Sequence, residues 1–199
     1  MDMADATGEG YPLVLQSGAD PSTLGGVAVC GLTTVGSVGV IAASHLIASL
    51  GLKPMGTVIH PEFPAVALIQ ESVPKHPVRV YQGEEMGVFI SEIQFPQASD
   101  FQFGNTVLEW FQKGGFDRLV IIDGLVSEDL GLKEDGDIWG VASLQSGRDA
   151  LDTVGIQRIQ QGIVTGVSGF LLAEGERQGD TRGAGSAQEA EGGGGGDGT

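Results

Sequence analysis

The residues best placed to do chemistry sit at two glycine-punctuated turns and at the ends of apolar runs. Gly31-x-x-x-x-Gly36 lies between a strand-like run and a helical one, where a phosphate-binding loop would fall. That chemistry needs a lysine to reach the phosphates and a Ser or Thr after it. Ser37 and Val38 follow Gly36 instead, and Gly39 does not restore a dinucleotide spacing. What remains is a helix N-terminus that offers backbone N–H groups to an anion. The competing reading is that Gly31, Gly36 and Gly39 allow a tight turn and close helix–sheet packing. A second glycine turn spans Gly162 to Gly169 and includes Gly166. Asp123 ends an apolar run, where open α/β sheets often place functional groups. Glu92 ends another, and two such carboxylates could share acid/base work. No spacing makes them partners. Gly31, Gly36, Gly39, Asp123 and Gly166 therefore stand as anion or ligand candidates, with no catalytic set.

Metal and thiol chemistry find less support. His45, His60 and His76 lack ligand spacing, and Cys30 is the only cysteine. Neither a zinc site nor any other cofactor is expected, and an internal disulfide is impossible. With no basic neighbour to lower its pKa, Cys30 reads as a buried structural thiol. The run Glu134-Asp135-Gly136-Asp137 lacks the rest of a calcium loop and reads as a solvated loop.

Charge excludes further classes. The 199 residues carry 26 Asp and Glu against 10 Lys and Arg, a net charge of −16. Phosphate backbones and anionic lipid surfaces need the opposite sign, so neither nucleic acid nor a membrane surface is an expected partner. Solubility is one reading of this acidity. Adaptation to a salty, halophilic cytoplasm is another. The acidic opening MDMADATGEGYP is no secretory signal.

The elements that position these residues can be read from periodicity. Val27–Leu32 is a continuous apolar strand, of the kind buried on both faces of a parallel sheet. Ser37 to Leu50 is a helix with an inward stripe of Ala43, Leu46, Ile47 and Leu50. Its far side, Ile41, Ala42, His45 and Ala48, is also free of charge. No charged residue occurs between Asp20 and Lys53. Such a stretch could span a membrane by length, but Gly31, Gly36, Gly39 and the β-branched residues break it as a helix. A helix apolar nearly all round lies between layers or faces another subunit. Ile41, His45 and Ala48 are the interface candidates.

Met55–His60, Ala65–Gln70, Val78–Tyr81 and Gly87–Ile93 read as strands, the last two joined by a turn at Gly83-Glu84-Glu85. Ser99 with Gln102 predicts a capping box for a helix ending near Lys113, with Phe103, Val107, Trp110 and Phe111 on one face. Leu119–Gly124 is a second buried strand. Ile138–Ser143 reads as a short strand, 146–153 as a helix, and Phe170-Leu171-Leu172 as the start of another. From Arg177 onward no Val, Ile, Leu or aromatic residue occurs, so the composition predicts disorder. The expected division is a leader, 1–22, with a possible short strand; an α/β domain, 23–175; and a disordered Gly/Glu-rich tail, 176–199.

In order and spacing these pieces resemble the proteasome assembly chaperone family, its archaeal-type members in particular. The resemblance is carried by GLTTVGSVG (Gly31 to Gly39), IAASHLI (Ile41 to Ile47), PVRVY (Pro77 to Tyr81) and LEW (Leu108 to Trp110). It continues through VIIDG (Val120 to Gly124), WGVAS (Trp139 to Ser143) and GIVTGVSGFLL (Gly162 to Leu172). It covers about Leu24 to Glu174. Thr33-Thr34 stands where the family usually has Pro-Gly, which marks a divergent branch. The ending Asp197-Gly198-Thr199 lacks the hydrophobic–Tyr–X tag of relatives that dock on the proteasome.

The resemblance implies a three-layer αβα sandwich with a mostly parallel or mixed central sheet, similar in shape to nucleoside phosphorylases. It implies a cytoplasmic homo-oligomer, a chaperone or scaffold for proteasome α-subunits, and it brings no catalytic residues. The alternative function is a small-molecule, nucleotide-like binding or hydrolytic α/β protein that uses the glycine turns and Asp123.

Overall fold

The structure is a computed structural model that describes residues 10–16, 19, 26–94, 96–124 and 138–191, the last twelve of these as backbone only. The acidic loop around Glu134 and the final eight residues lie outside the described residues. The chain divides into two compact units. The first runs to Val126 and takes in Gly166–Ser168; the second holds 127–165 and the chain from Gly169.

The first unit is built on a six-stranded sheet. Its strands are β1 (Leu13–Leu15), β2 (Val27–Leu32), β3 (Lys53–Val58), β6 (Val78–Gln82), β7 (Met86–Ser91) and β8 (Arg118–Ile122). Their spatial order is β1-β3-β6-β7-β2-β8. β2 sits between β7 and β8 and is parallel to both, with Cys30 opposite Phe89 on one side and Ile121 on the other. The β1, β3 and β6 pairings are antiparallel, so the sheet is mixed. Burial of β2 on both faces explains its unbroken apolar sequence.

Side chains alternate across β2 and β7, and each face takes a helix. Val29, Val88 and Ile90 pack with Ala43 of α1 (Val38–Ser49), joined by Leu46 and Ile47. Phe89 on the opposite face meets Phe103 and Trp110 of α2 (Asp100–Lys113) at ring-centroid distances of 5.6 Å each. This unit is thus helix, sheet, helix in three layers, as expected. The capping box differs: Ser99 makes no side-chain cap bond and has helical dihedrals, because a single 3-10 turn, Gln97–Ser99, leads directly into α2. Leu50 also departs from the expected stripe. It is exposed beyond the last turn, and Leu52 is buried instead once Gly51 has turned the chain at positive φ.

A two-stranded hairpin, β4 (Leu68–Gln70) and β5 (Val73–Lys75), stands apart from the main sheet. The sequence shows one strand here, Ala65–Gln70; its return strand carries Pro74 and has no glycine turn before it.

In the second unit, β9 (Trp139–Gly140) and β10 (Gln157–Arg158) pair in parallel across α3 (Gln145–Thr153). Only two residues of the expected 138–143 strand pair. Gly140 packs against Leu151 and Ile156. α4 (Gly166–Glu191) begins at the second glycine turn. It continues well beyond Arg177, where the composition predicts no order. Local helix formers such as Ala, Glu, Gln and Arg sustain helix without an apolar face, and Gly175 and Gly179 let the helix approach Ser143 and Leu144.

Candidate functional site

Two of the glycine candidates serve packing. Gly31 on β2 and Gly39 in the first turn of α1 are both buried. A Cβ on Gly31 would lie 2.5 Å from that of Ala43, and one on Gly39 would overlap the Ile122 carbonyl oxygen. They bring α1 down onto β2 and β8. Gly36 is exposed at φ 66°, and the next residue, Ser37, holds φ 54° without a glycine's freedom. The turn therefore enters the helix through two left-handed residues, and Ser37 makes no side-chain cap bond.

Asp123, one residue beyond β8, meets the second glycine turn. Its Oδ2 accepts a hydrogen bond from Ser168 Oγ at 2.5 Å. Its Oδ1 is buried with no hydrogen-bond partner among the described residues. Gly166 opens α4 at φ 70°, with Asp100 Oδ2 3.9 Å from where its Cβ would be. Burial holds the Asp100 carboxyl above the ordinary range. Around this edge Gly124 N–H donates to Thr34 Oγ1 at 3.4 Å, and Thr33 Oγ1 donates to the Ser91 carbonyl at 2.8 Å. The structure therefore brings together Asp123 and the Gly166 turn, which sequence spacing left unrelated. Ser168 and Thr34 carry no sequence signal of a site beyond lying in the turns that a parallel sheet collects at its strand ends.

Electrostatically this edge suits no phosphate. It presents carboxylates and hydroxyls, whereas anion sites add a cation to the helix N-terminus. The Cys30 thiol is fully buried and its pKa is pushed well up, first by burial and then by the charge of Asp123. That fits a packed thiol and not a nucleophile. Glu92 has a structural partner set: it pairs with the buried Arg79 and accepts from Gln70 Nε2 at 3.4 Å. Arg79 also donates to the Tyr81 hydroxyl and the His76 carbonyl. Glu92 and Asp123 do not form a pair.

The histidines are equally dispersed. His60 lies with its ring tilted at 47° to that of Tyr11, centroids 4.5 Å apart, and His45 Nε2 lies 3.3 Å from Ser49 Oγ. Among the described residues no three His, Cys, Asp or Glu side chains gather as a metal site. No described helix is long and apolar enough to cross a membrane.

The outer face of α1 forms a surface of another kind. Ile41, His45 and Ala48 are all exposed, Ile41 to 64%. Their i, i+4, i+7 spacing aligns them on one stripe. Val38 extends it in the first turn, and Leu50 is exposed just past the helix. No charged side chain interrupts it. On a chain of net charge −16, this is an uncharged, partly apolar strip more than three turns long.

Comparison with known proteins gives the relationship. A family model described as the PAC2 family matches residues 28–190. No curated protein matches the sequence. Among solved structures, the chain is similar to Pyrococcus furiosus PbaA, described as an archaeal homolog of proteasome-assembly chaperone. The identity is 26%, the TM-score 0.72, and the match covers 86% of this chain and 69% of that one. A protein of unknown function from Thermoplasma acidophilum is 24% identical over 78% of this chain and 64% of its own, with TM-score 0.64. P. furiosus PbaB, described as an archaeal proteasome activator, shares the fold at 19% identity and TM-score 0.66, over 86% of this chain and 77% of that one. The glycine-packed strand–helix unit, the mixed sheet and a match through most of α4 lead to one conclusion: this chain belongs to the PAC2 family.

Proposed function

We propose that the protein is a non-enzymatic, homo-oligomeric chaperone or scaffold of the cytoplasm that acts on proteasome α-subunits. Family membership supports the chaperone part, as does the likeness to PbaA. The observation that carries the protein-binding part is the exposed, charge-free face of α1. Large apolar side chains such as Ile41 gain by leaving water. Copies of a chain this acidic repel one another except where charge is missing, and this strip is such a place. Association of the purified chain with proteasome α-subunits at high salt tests the reading. A complex, together with more complete or faster α-ring assembly, supports it; no complex and unchanged assembly contradict it.

A second reading rests on the buried, unpartnered Oδ1 of Asp123. A small molecule carrying a hydrogen-bond donor would satisfy it at the sheet edge. Thermal-shift measurements with uncharged nucleosides and nucleobases test this. Stabilisation lost in Asp123→Asn supports it, and no stabilisation by any of them counts against it.

A further inference from the structure

A two-stranded hairpin on its own is marginal in water, and each of its strands keeps an outer edge of unpaired N–H and C=O groups. Among the described residues β4 and β5 pair only with each other. Their two outer edges are not equivalent. Gln70 pairs with Val73, so Glu71 and Ser72 form a two-residue loop. The φ values of that loop, 50° and 65°, are those of a type I′ turn. Such a turn makes Gln70 and Val73 a hydrogen-bonded pair. By alternation the next pair, Ile69 with Pro74, turns its backbone polar groups outward. On β5 that outward position is a proline without an N–H, so this edge is blunted. On β4 it is Ile69, which presents both its N–H and its C=O.

The side chains divide in the same way. Leu68, Gln70 and Lys75 are half-buried, and Gln70 Nε2 donates to Glu92 at 3.4 Å. Ile69 and Pro74 oppose each other on the other face, where Ile69 is 67% exposed. The chain carries no charge from Phe63 to Gln70. The open edge is therefore uncharged and has a large apolar side chain at its centre.

We propose that β4 pairs antiparallel with β4 of a second copy across a two-fold axis, so that two hairpins make one four-stranded sheet. This inference rests on the homo-oligomeric part of the proposed function and gives it a contact separate from the α1 strip. Geometry, charge and closure select a second copy. An antiparallel edge centred on one residue is its own complement: the N–H and C=O of Ile69 meet the C=O and N–H of Ile69 in the other copy. The outer face then carries a row of Pro74, Ile69, Ile69 and Pro74, which takes the exposed Ile69 out of water. Copies of net charge −16 meet most easily where charge is absent, as it is along β4. The two Glu71 carboxylates fall at opposite ends of this pairing, four residues or roughly 14 Å apart, so they do not oppose it. Pro74 stops further strand addition, and the sheet closes at four strands instead of growing.

Cross-linking of the full chain tests the register. Directly opposed Cα atoms in such a pair lie about 5.5 Å apart, within reach of a disulfide. Cys30 is buried and does not compete. Ile69→Cys is expected to oxidise to a disulfide-linked dimer. Val73→Cys, exposed on the blunted strand of the same hairpin, is expected to stay monomeric on denaturing gels. Ile69→Lys sets two ammonium groups opposite each other. Loss of a two-fold contact halves an assembly, so light scattering of this variant is expected to show about half the parent's mass, with an unchanged circular-dichroism spectrum. An oligomer whose mass Ile69→Lys leaves unchanged overturns the inference and leaves the homo-oligomeric reading standing. So does cross-linking of Val73→Cys as ready as that of Ile69→Cys. If Ile69→Lys weakens binding to α-subunits and not self-association, the edge serves another protein and the inference is overturned. A parent that is monomeric at every concentration removes both the inference and the homo-oligomeric reading.

Discussion

Gly31 of β2 lies directly against Gly39 of α1, so that a Cβ on Gly31 would overlap the Gly39 carbonyl oxygen. This contact decides what the glycine turn is for. Both residues are spent on bringing a helix onto a sheet, and neither is free to cradle a ligand. Gly39→Val therefore forces α1 away from Ile122 and costs about 1–3 kcal/mol, read as a fall in the urea midpoint. Gly36→Ala meets no close neighbour and costs only the strain of its positive φ, about 1 kcal/mol.

The Arg79–Glu92 pair holds the β6–β7 end of the sheet. Its side chains are 8% and 17% exposed. Glu92→Leu leaves the guanidinium buried without its carboxylate and destabilises by about 3 kcal/mol. Arg79→Met combined with Glu92→Leu recovers much of that loss, since two apolar groups replace the pair. Chemical denaturation of the two single variants and the double variant measures the coupling.

In the second unit, Arg177 hydrogen-bonds Glu174 and holds its carboxyl below the ordinary range, against the opposing effect of burial. A carboxyl whose folded value is depressed stabilises the fold above its unfolded value. That contribution is lost as pH falls through the folded value. Glu174→Gln is therefore less stable than the parent at neutral pH, and the difference fades below about pH 4. Melting curves of both proteins across that range check the sign.

Cys30 is buried with its thiol pKa raised. The native protein resists alkylation at neutral pH, and labelling appears only as denaturant unfolds it. Rapid stoichiometric labelling of the native chain would show that this strand opens.

Ile41 is the most exposed large apolar side chain of α1. Ile41→Glu adds charge to the uncharged strip without touching the core. Light scattering is expected to show an oligomer for the parent and a smaller species for the variant, with unchanged melting of the variant protomer at low concentration.

Much of this fold was legible because its strongest signals are periodic. β2 and α2 fall where their apolar patterns place them, and Phe103 and Trp110 turn inward as their spacing requires. The exposed stripe of Ile41, His45 and Ala48 also followed from helix period alone. The β4–β5 hairpin was half-hidden because Glu71-Ser72 is not turn sequence, and β5 contains a proline. The length of α4 is not legible in the sequence, because no apolar face accompanies its later turns. The link between Asp123 and Ser168 spans 45 residues, and only tertiary structure can reveal it.

Proteasome α-subunits are the proposed partners of this chain, bound through protein surfaces and without catalysis. Mixing the purified chain with α-subunits at high salt, and following ring assembly by light scattering and native gels, decides whether it binds them. A complex and faster or more complete rings are expected, with both effects diminished by Ile41→Glu. Assembly that proceeds identically with and without the chain, and no complex between them, would contradict it.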